Sequence, residues 1–355
     1  MINFSPKFTD KIQSSFVEES IVAGRLSTEY DFDGAKTVKV LTPVTIPMSD
    51  YDRAATTNRY GTPAEMQDIV QDLTLTQDKS FAMTIDKGNY EDQAFLKKAA
   101  KMLTLQVSER AIPEMDTYIL KNLALKAGQV ASNQTSCTRS NICGFISQAT
   151  QSMDDAEVPQ NDRTLFVSSV IYAMLKHSDE FLAVESVARD AIRRGVVGRY
   201  DNMEVVKVPA KRWPANVNFM IAHKNSAIAP VKLSETHIHT NPPGISGSLL
   251  EGRQYYDLFV FGAKCDGVYV NVDTSTGKGK VCAAPSINVA TGAITCSTAG
   301  AIIVFTTDGT DPRYSADAKT GTQSDVTAPG TVIKAYAFLN ETGAYPSGVT
   351  AINKT

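Results

Sequence analysis

The sequence predicts an α+β fold followed by a smaller all-β part, and three observations lead to this prediction. Residues 89–131 repeat apolar side chains near the helical period over an unusually long stretch. Residues 132–280 alternate short apolar strands with amphipathic helices. From residue 281 onward the chain is rich in Thr, Ala and Gly and shows no helix-length pattern. A chain of 355 residues is long enough for two domains.

Composition and net charge exclude several classes of protein for this chain. The net charge is -3 and 43% of the residues are hydrophobic, which is typical of a folded protein without a basic nucleic-acid surface. No stretch reaches the roughly 18 apolar residues that a bilayer-spanning helix needs. The first ten residues lack the features of a secretion signal, so we expect folding in a cytoplasm. The five cysteines have no metal-like spacing, so we expect free thiols, with a Cys282–Cys296 bridge as the alternative.

The first 88 residues indicate an extended arm followed by a long flap. Residues 1–35 show no sustained period, as expected for an arm. Residues 36–48 are β-branched and contain two prolines, which favours an exposed or edge strand. Apolar residues alternate with Thr and Ser between positions 73 and 85, which predicts the second strand of the flap. A two-stranded hairpin is marginal in water by itself, so a flap over residues 36–88 needs support from another surface.

Residues 89–131 predict a long helix. At 1.5 Å per residue it would extend for about 60 Å, roughly twice the diameter of a small domain. Pro113 removes one backbone donor and should kink or split this helix. Two packed helices of an ordinary α/β protein are the alternative interpretation.

The rest of the chain predicts a mixed domain and then a β module. Helices are predicted at residues 170–176 and 183–194, and strands at 164–168, 203–208, 218–222 and 256–261. In the C-terminal part Ile333, Ala335 and Ala337 face one way, which indicates a half-buried strand of a sandwich. Residues 276–282 form a predicted linker between the two parts.

The order of these parts, together with several strings, resembles the HK97-type major capsid proteins of tailed bacteriophages. The strings are YDFDGAKTVKV at 30–40, DYDR at 50–53, YG at 60–61, SF at 80–81, IDK at 85–87, GVVG at 195–198, MEVVKV at 203–208 and AKCDGVY at 263–269. The resemblance covers about residues 1–275. It implies an N-terminal arm at 1–35, an E-loop at 36–88, the spine helix of a peripheral domain at 89–131, and an axial domain with closing peripheral strands at 132–275.

Residues 283–350 resemble a second family, the immunoglobulin-like modules at the C-termini of chitobiases and bacterial surface proteins. The strings VFTTDGTDP at 304–312 and GTVIKA at 330–335 carry this likeness. It implies an all-β immunoglobulin-like sandwich over residues 283–355, displayed on the exterior. It does not imply glycosidase chemistry.

The residues that commonly carry chemistry form no site in this sequence. His237 and His239 would lie on one face of a strand, but no third metal ligand is identifiable, so an exposed strand edge is favoured over a metal site. No nucleophile motif, phosphate loop or dinucleotide fingerprint is present. We therefore expect no enzyme, no cofactor and no metal. The basic stretch at 189–194 fits a helix C-terminus, with a DNA contact as the alternative.

Two sets of residues are candidates for contacts. The resemblance implies that the charged part of the E-loop meets neighbouring subunits, whereas the plain alternative is a solvated surface. The candidates for these contacts are Arg53, Arg59, Tyr60, Glu65 and Asp68. Tyr314 and Tyr345 are candidates for contacts with host or environmental glycans if they are exposed, and core residues of the module if they are buried.

The function implied by the resemblance is self-assembly of hexamers and pentamers into an icosahedral phage head around double-stranded DNA. The DNA would be enclosed without sequence-specific binding, with portal and scaffolding proteins as further partners, in a virion assembled in the host cytoplasm. Two alternatives are an encapsulin-type nanocompartment shell and a carbohydrate-binding or adhesin protein built around the C-terminal part.

Overall fold

The protein is described by a computed structural model. It describes residues 20–22, 24–30, 37–43, 48, 50, 51, 53, 54, 57–60, 68–87, 99–178, 198–275, 278–288, 290–315, 317–322, 332–341 and 343–353. Most of the predicted arm, the predicted helix at 183–194 and Glu65 lie outside these residues. The chain divides into two compact units. Unit 1 consists of Met1–Gly34, Leu75–Val260 and Asp266–Gly279, and unit 2 of Ala35–Thr74, Phe261–Cys265 and Lys280–Thr355.

A long helix runs through the described part of the predicted spine. It consists of α1 (Ala99–Gln106), a π-helical turn (Val107–Ala111) and α2 (Ile112–Leu125). The expected split at Pro113 is absent, because the backbone stays helical from the π-turn into the first turn of α2. A wider turn just before a proline accommodates its missing donor and its ring.

The helix ends six residues earlier than predicted. Residues Gln129–Asn133 form strand β4 instead, which pairs in parallel with a later strand of the same unit. The apolar residues after Leu125 continue the helical pattern in the sequence, but in the structure Val130 and Ala131 belong to strand β4.

Unit 1 is built around a six-stranded mixed sheet in the order β4-β13-β8-β5-β7-β6. The remaining strands of this sheet are β5 (Arg163–Ser168), β6 (Arg199–Tyr200), β7 (Met203–Val208), β8 (Val217–His223) and β13 (Val268–Asp273). Helices α3 (Ile142–Asp155) and α4 (Ser169–Lys176) belong to the same unit. All seven residues of β8 are buried, as expected for a strand that is covered on both faces. The predicted strands at 164–168, 203–208 and 218–222 and the helix at 170–176 are confirmed to within one residue at each end.

A separate three-stranded sheet corrects the predicted flap. Its members are β10 (Val231–Thr240), β11 (Gly247–Tyr256) and β3 (Gln77–Asp86), with β11 in the centre. A two-stranded ladder of β9 (Ala227–Ile228) and β12 (Phe259–Val260) completes the strands of unit 1, so the predicted strand at 256–261 is present only as this short segment. The prediction of one two-stranded flap over 36–88 is wrong for its second half, because β3 pairs with β11 over ten residues.

The flap itself is shorter and belongs to unit 2. Strand β1 (Thr37–Pro43) pairs with β2 (Asp68–Thr74), from Thr37 opposite Thr74 to Pro43 opposite Asp68. We call residues 37–74 the flap, the β1–β2 ladder its stem, and residues 44–67 its tip.

The described part of residues 280–355, here called the C-terminal module, contains strands and turns and no helix. A four-stranded antiparallel sheet has the order β18-β17-β19-β21, beside two short ladders, β14 with β20 and β15 with β16. The bounds are β14 (Lys280–Val281), β15 (Ser286–Ile287), β16 (Ile294–Thr295), β17 (Ile302–Thr306), β18 (Lys319–Thr320), β19 (Val332–Phe338), β20 (Ala344–Tyr345) and β21 (Thr350–Asn353). The alternation in β19 is confirmed, since Ile333, Ala335 and Ala337 are all buried.

The structure also decides two predictions about side chains in the module, the burial of a tyrosine and the state of two cysteines. Tyr345 is only 3% exposed, so of its two alternatives the structure supports a core residue of the module and not an exposed glycan contact. Cys282 and Cys296 are both free thiols.

Candidate subunit interface

The flap carries the most exposed apolar side chains among the described residues. Met48 is fully exposed, Tyr60 is 86% exposed and Leu41 is 62% exposed. Tyr51 is also exposed, whereas the other large exposed apolar residues of the described chain are Val170 on α4 and Val231 and Ile238 on β10. A group of exposed apolar residues on one element marks a surface that meets another protein. The flap is therefore the first candidate for an interface.

Two tyrosines in the tip pack against each other. The rings of Tyr51 and Tyr60 meet edge to face, with centroids 4.9 Å apart and an interplanar angle of 70°. This arrangement is a favoured one for aromatic pairs. It brings together two parts of the tip that are separated by eight residues in the sequence.

The predicted contact residues lie on this element as far as they are described. Arg53, Arg59 and Tyr60 are exposed in the tip, and Asp68 begins β2. Their contacts with a second subunit remain predictions.

Unit 1 contains a groove of about 710 Å³ beside the π-turn and α2. Its lining carries five basic side chains and two acidic ones, which gives a formal charge of +3. The basic residues are Lys79, Arg110, Lys121, Lys211 and Arg212, and the acidic ones are Glu109 and Glu114. Lys79 and Glu114 form an exposed ion pair of 3.5 Å across the groove. The groove is thus an open basic surface along the long helix.

One wall of this groove is fixed by a buried ion pair. Asp116 on α2 is fully buried and accepts a hydrogen bond from Arg212 Nη1 at 2.8 Å. The same carboxylate accepts from Ser20 Oγ at 2.8 Å and from Ile21 N at 2.9 Å. The short segment at 20–22 is therefore attached to the long helix through a charge. Sequence reasoning missed Asp116, although an acid between Met115 and Ile119 on an apolar helix face is a detectable signal.

A second buried acid joins β3 to the same helix. Asp257 is 2% exposed, and its carboxylate accepts from Thr76 N at 2.8 Å, Thr76 Oγ1 at 2.7 Å and Tyr118 Oη at 2.8 Å. Burial raises the pKa of Tyr118, so its hydroxyl stays a donor at neutral pH. One carboxylate thus links Thr76, the residue before β3, to Tyr118 on α2 by hydrogen bonds.

The histidine pair lies on the exposed three-stranded sheet. The rings of His237 and His239 are 6.0 Å apart, and their Nε2 atoms lie 3.5 Å from Glu235 and 3.2 Å from Glu251, respectively. Within the ranges that the structure describes, no three His, Cys, Asp or Glu side chains are grouped to hold a metal ion. In the same ranges no helix is long and apolar enough to cross a membrane.

No protein-family model matches the sequence, and no curated protein matches it either. Solved structures do match. A chain of Mycobacterium phage Che8 is similar with a TM-score of 0.64 and 16% identity, over 76% of this chain and 97% of that one. The bacteriophage PhiM1 mature capsid gives 0.62 and 12%, over 77% and 92%. The capsid of cyanophage P-SCSP1u gives 0.62 and 11%, over 77% and 94%. The chain therefore has the fold of phage capsid proteins.

Proposed function

We propose that the chain is the major capsid subunit of a tailed phage, a structural protein that assembles with itself into an icosahedral shell. The observation that supports this most is the capsid fold together with a flap that exposes Met48 and Tyr60 to solvent. A single chain gains nothing from such exposure, whereas a contact repeated by symmetry would bury it in every subunit.

The groove of a second subunit is the proposed partner of the flap tip. The tip together with Asp68, the first residue of β2, contains four acidic residues and two basic ones, a formal charge of -2, against +3 for the groove. Opposite charges favour the encounter and fix its register, while the exposed apolar residues supply burial. The same proposal assigns Arg53, Arg59, Tyr60, Glu65 and Asp68 to this contact.

The proposal also states what the shell encloses and what it displays on its outer surface. A chain of net charge -3 suits a container for double-stranded DNA that holds its genome without binding phosphates tightly. The C-terminal module, an immunoglobulin-like sandwich in this proposal, would be on the outside. Tyr314, which is partly exposed, is its remaining candidate for a glycan contact.

Electron microscopy of the purified protein tests the proposal directly. We expect closed shells of uniform diameter at high protein concentration. Monomers or irregular aggregates under all assembly conditions, including the presence of a scaffolding protein, would contradict it.

The exposed apolar residues of the flap tip should contribute to assembly and not to folding. Replacing Met48 and Tyr60 together by Ser should reduce shell yield at least about tenfold, because each is an exposed anchor whose burial would contribute about 1.5 kcal/mol or more. The midpoint of urea unfolding should stay unchanged. The control is Val170→Ser, which removes a 61% exposed apolar side chain outside the flap. Equal losses of shells in both variants would show that the flap has no special role.

The charge of the groove gives an independent prediction. Lys121→Glu combined with Lys211→Glu changes the groove from +3 to -1, so it should slow assembly strongly at low salt and less at high salt. Light scattering during assembly measures the rate. The matched control is Lys224→Glu, which reverses an exposed lysine that does not line the groove. If the groove variant assembles at the wild-type rate at low salt, another surface receives the flap.

A further inference from the structure

Unit 2 brings together three segments of the chain that are distant in the sequence. Its parts are the flap, the short segment Phe261–Cys265 and the C-terminal module. Phe261 and Cys265 are each 5% exposed. These two ends of the segment are therefore buried within this unit, whereas Ala263 and Lys264 between them are exposed.

On one side this segment holds the flap stem. The backbone N–H of Gly262 donates to Oε1 of Gln71 at 3.0 Å. Gln71 lies in β2 opposite Val40 of β1, so the bond reaches the middle of the stem. A part-buried hydrogen bond at this position resists movement of the stem.

On the other side the segment contacts the loop Asp311–Tyr314 of the C-terminal module. A Cβ atom added to Gly262 would lie 2.9 Å from Tyr314 Cβ, so the two backbones approach as closely as a glycine allows. The thiol of Cys265 lies 3.7 Å from Asp311 Oδ2 and 3.8 Å from Arg313 Nη2. The module therefore contacts residues that precede the predicted linker.

The contacting loop is itself held rigidly. Asp311 accepts hydrogen bonds from Arg313 N at 2.9 Å, Nε at 3.1 Å and Nη2 at 2.7 Å. The Arg313 side chain is 8% exposed, and its guanidinium lies 5.5 Å from the centroid of the Tyr314 ring. Burying an arginine is unfavourable unless its partner is well placed, and this arrangement fixes the loop's shape.

We infer that the C-terminal module acts as a brace that positions the flap through Gln71, Gly262 and the Asp311–Tyr314 loop. The module then takes part in assembly and is more than a surface decoration. This inference rests on the proposed function only for its effect on shells. The bracing of the stem is a property of the isolated subunit and can be measured there.

Gly262→Ala is the sharpest test, because its methyl group meets Tyr314 without altering either the flap or the module's own core. We expect amide hydrogen exchange in residues 37–43 and 68–74 of the unassembled subunit to become at least about fivefold faster, since the Gln71 bond is displaced. Arg313→Met should act in the same direction by loosening the loop. The control is Lys319→Met on exposed β18, which should leave exchange in the stem unchanged.

Shell formation by the same variants provides the second measurement. Gly262→Ala and Arg313→Met should lower shell yield, and truncation after Gly279 should abolish closed shells. Unchanged exchange in the stem for both point variants would overturn the brace, whatever happens to shells. A wild-type chain that forms no shells while the variants still accelerate exchange would contradict the proposed function and leave the brace standing.

Discussion

Replacing Arg212 by Met should destabilise unit 1 by about 3–5 kcal/mol, because it leaves a fully buried carboxylate without its cation. Among the residues that the structure describes, Asp116 would keep the donors from Ser20 and Ile21. Two neutral donors do not replace the Coulomb attraction that offsets the burial of this charge. The shift of the urea unfolding midpoint at constant slope measures the loss.

Two further variants separate the causes. Arg253→Met removes an arginine that pairs with Asp78 on the surface, where water replaces the lost partner, so a much smaller loss is expected. The double variant Asp116→Leu with Arg212→Met removes both charges and should regain much of the stability that the single variant loses. If the double variant were as unstable as Arg212→Met alone, lost packing rather than an unpaired charge would be the cause.

Local patterns predicted the elements well where burial alone decides them. The strands at 164–168 and 203–208 and the alternating strand around Ile333 depend on which residues face a core, and a period of two records that directly. The same patterns do not predict which strands pair with each other. The alternation in β3 fits pairing with β1 or with β11 equally, because the period sets the face of a strand and not its neighbour. The flap was therefore predicted too long.

One further difference and one undecided position depend on local structure that a sequence pattern does not show. A proline in a helical stretch predicts a break, yet the π-turn before Pro113 lets the helix continue. Tyr345 follows a turn and is flanked by Ala and Pro, so its sequence alone leaves open whether it is a core residue or an exposed one. Only the packing of β20 in the module shows that the ring is buried.

Of the two surfaces in the candidate interface, the flap tip could be predicted from the sequence and the groove could not. The exposed flap tip follows from its polar, turn-rich sequence, since such a segment has no core to join. The groove was not predictable, because Lys79, Lys121 and Lys211 come from regions more than 40 residues apart and are brought together by the fold. The brace was missed for the same reason: Gln71, Gly262 and Tyr314 show no pattern that links them in sequence.

Leu123→Asp and Leu103→Asp test which side of the long helix is packed. Both leucines belong to the apolar repeat of residues 89–131, which by itself predicts that both substitutions would be damaging. The structure separates them: Leu123 is fully buried beside Leu120 and Ala124, whereas Leu103 on α1 is only partly buried. Leu123→Asp should cost several kcal/mol and give insoluble protein, because the carboxylate has neither water nor a partner.

Leu103→Asp should cost about 1 kcal/mol and leave a soluble, folded subunit, because its carboxylate can reach solvent. Circular dichroism and the soluble fraction after expression distinguish the two variants. Assembly of the soluble Leu103→Asp subunit then adds information that folding cannot give. Loss of shells from a stable subunit would place this side of α1 in a contact between copies, whereas normal shells would leave it facing solvent. Insolubility of both variants would mean that the helix packs on both sides, contrary to the exposure of Leu103 in the single chain.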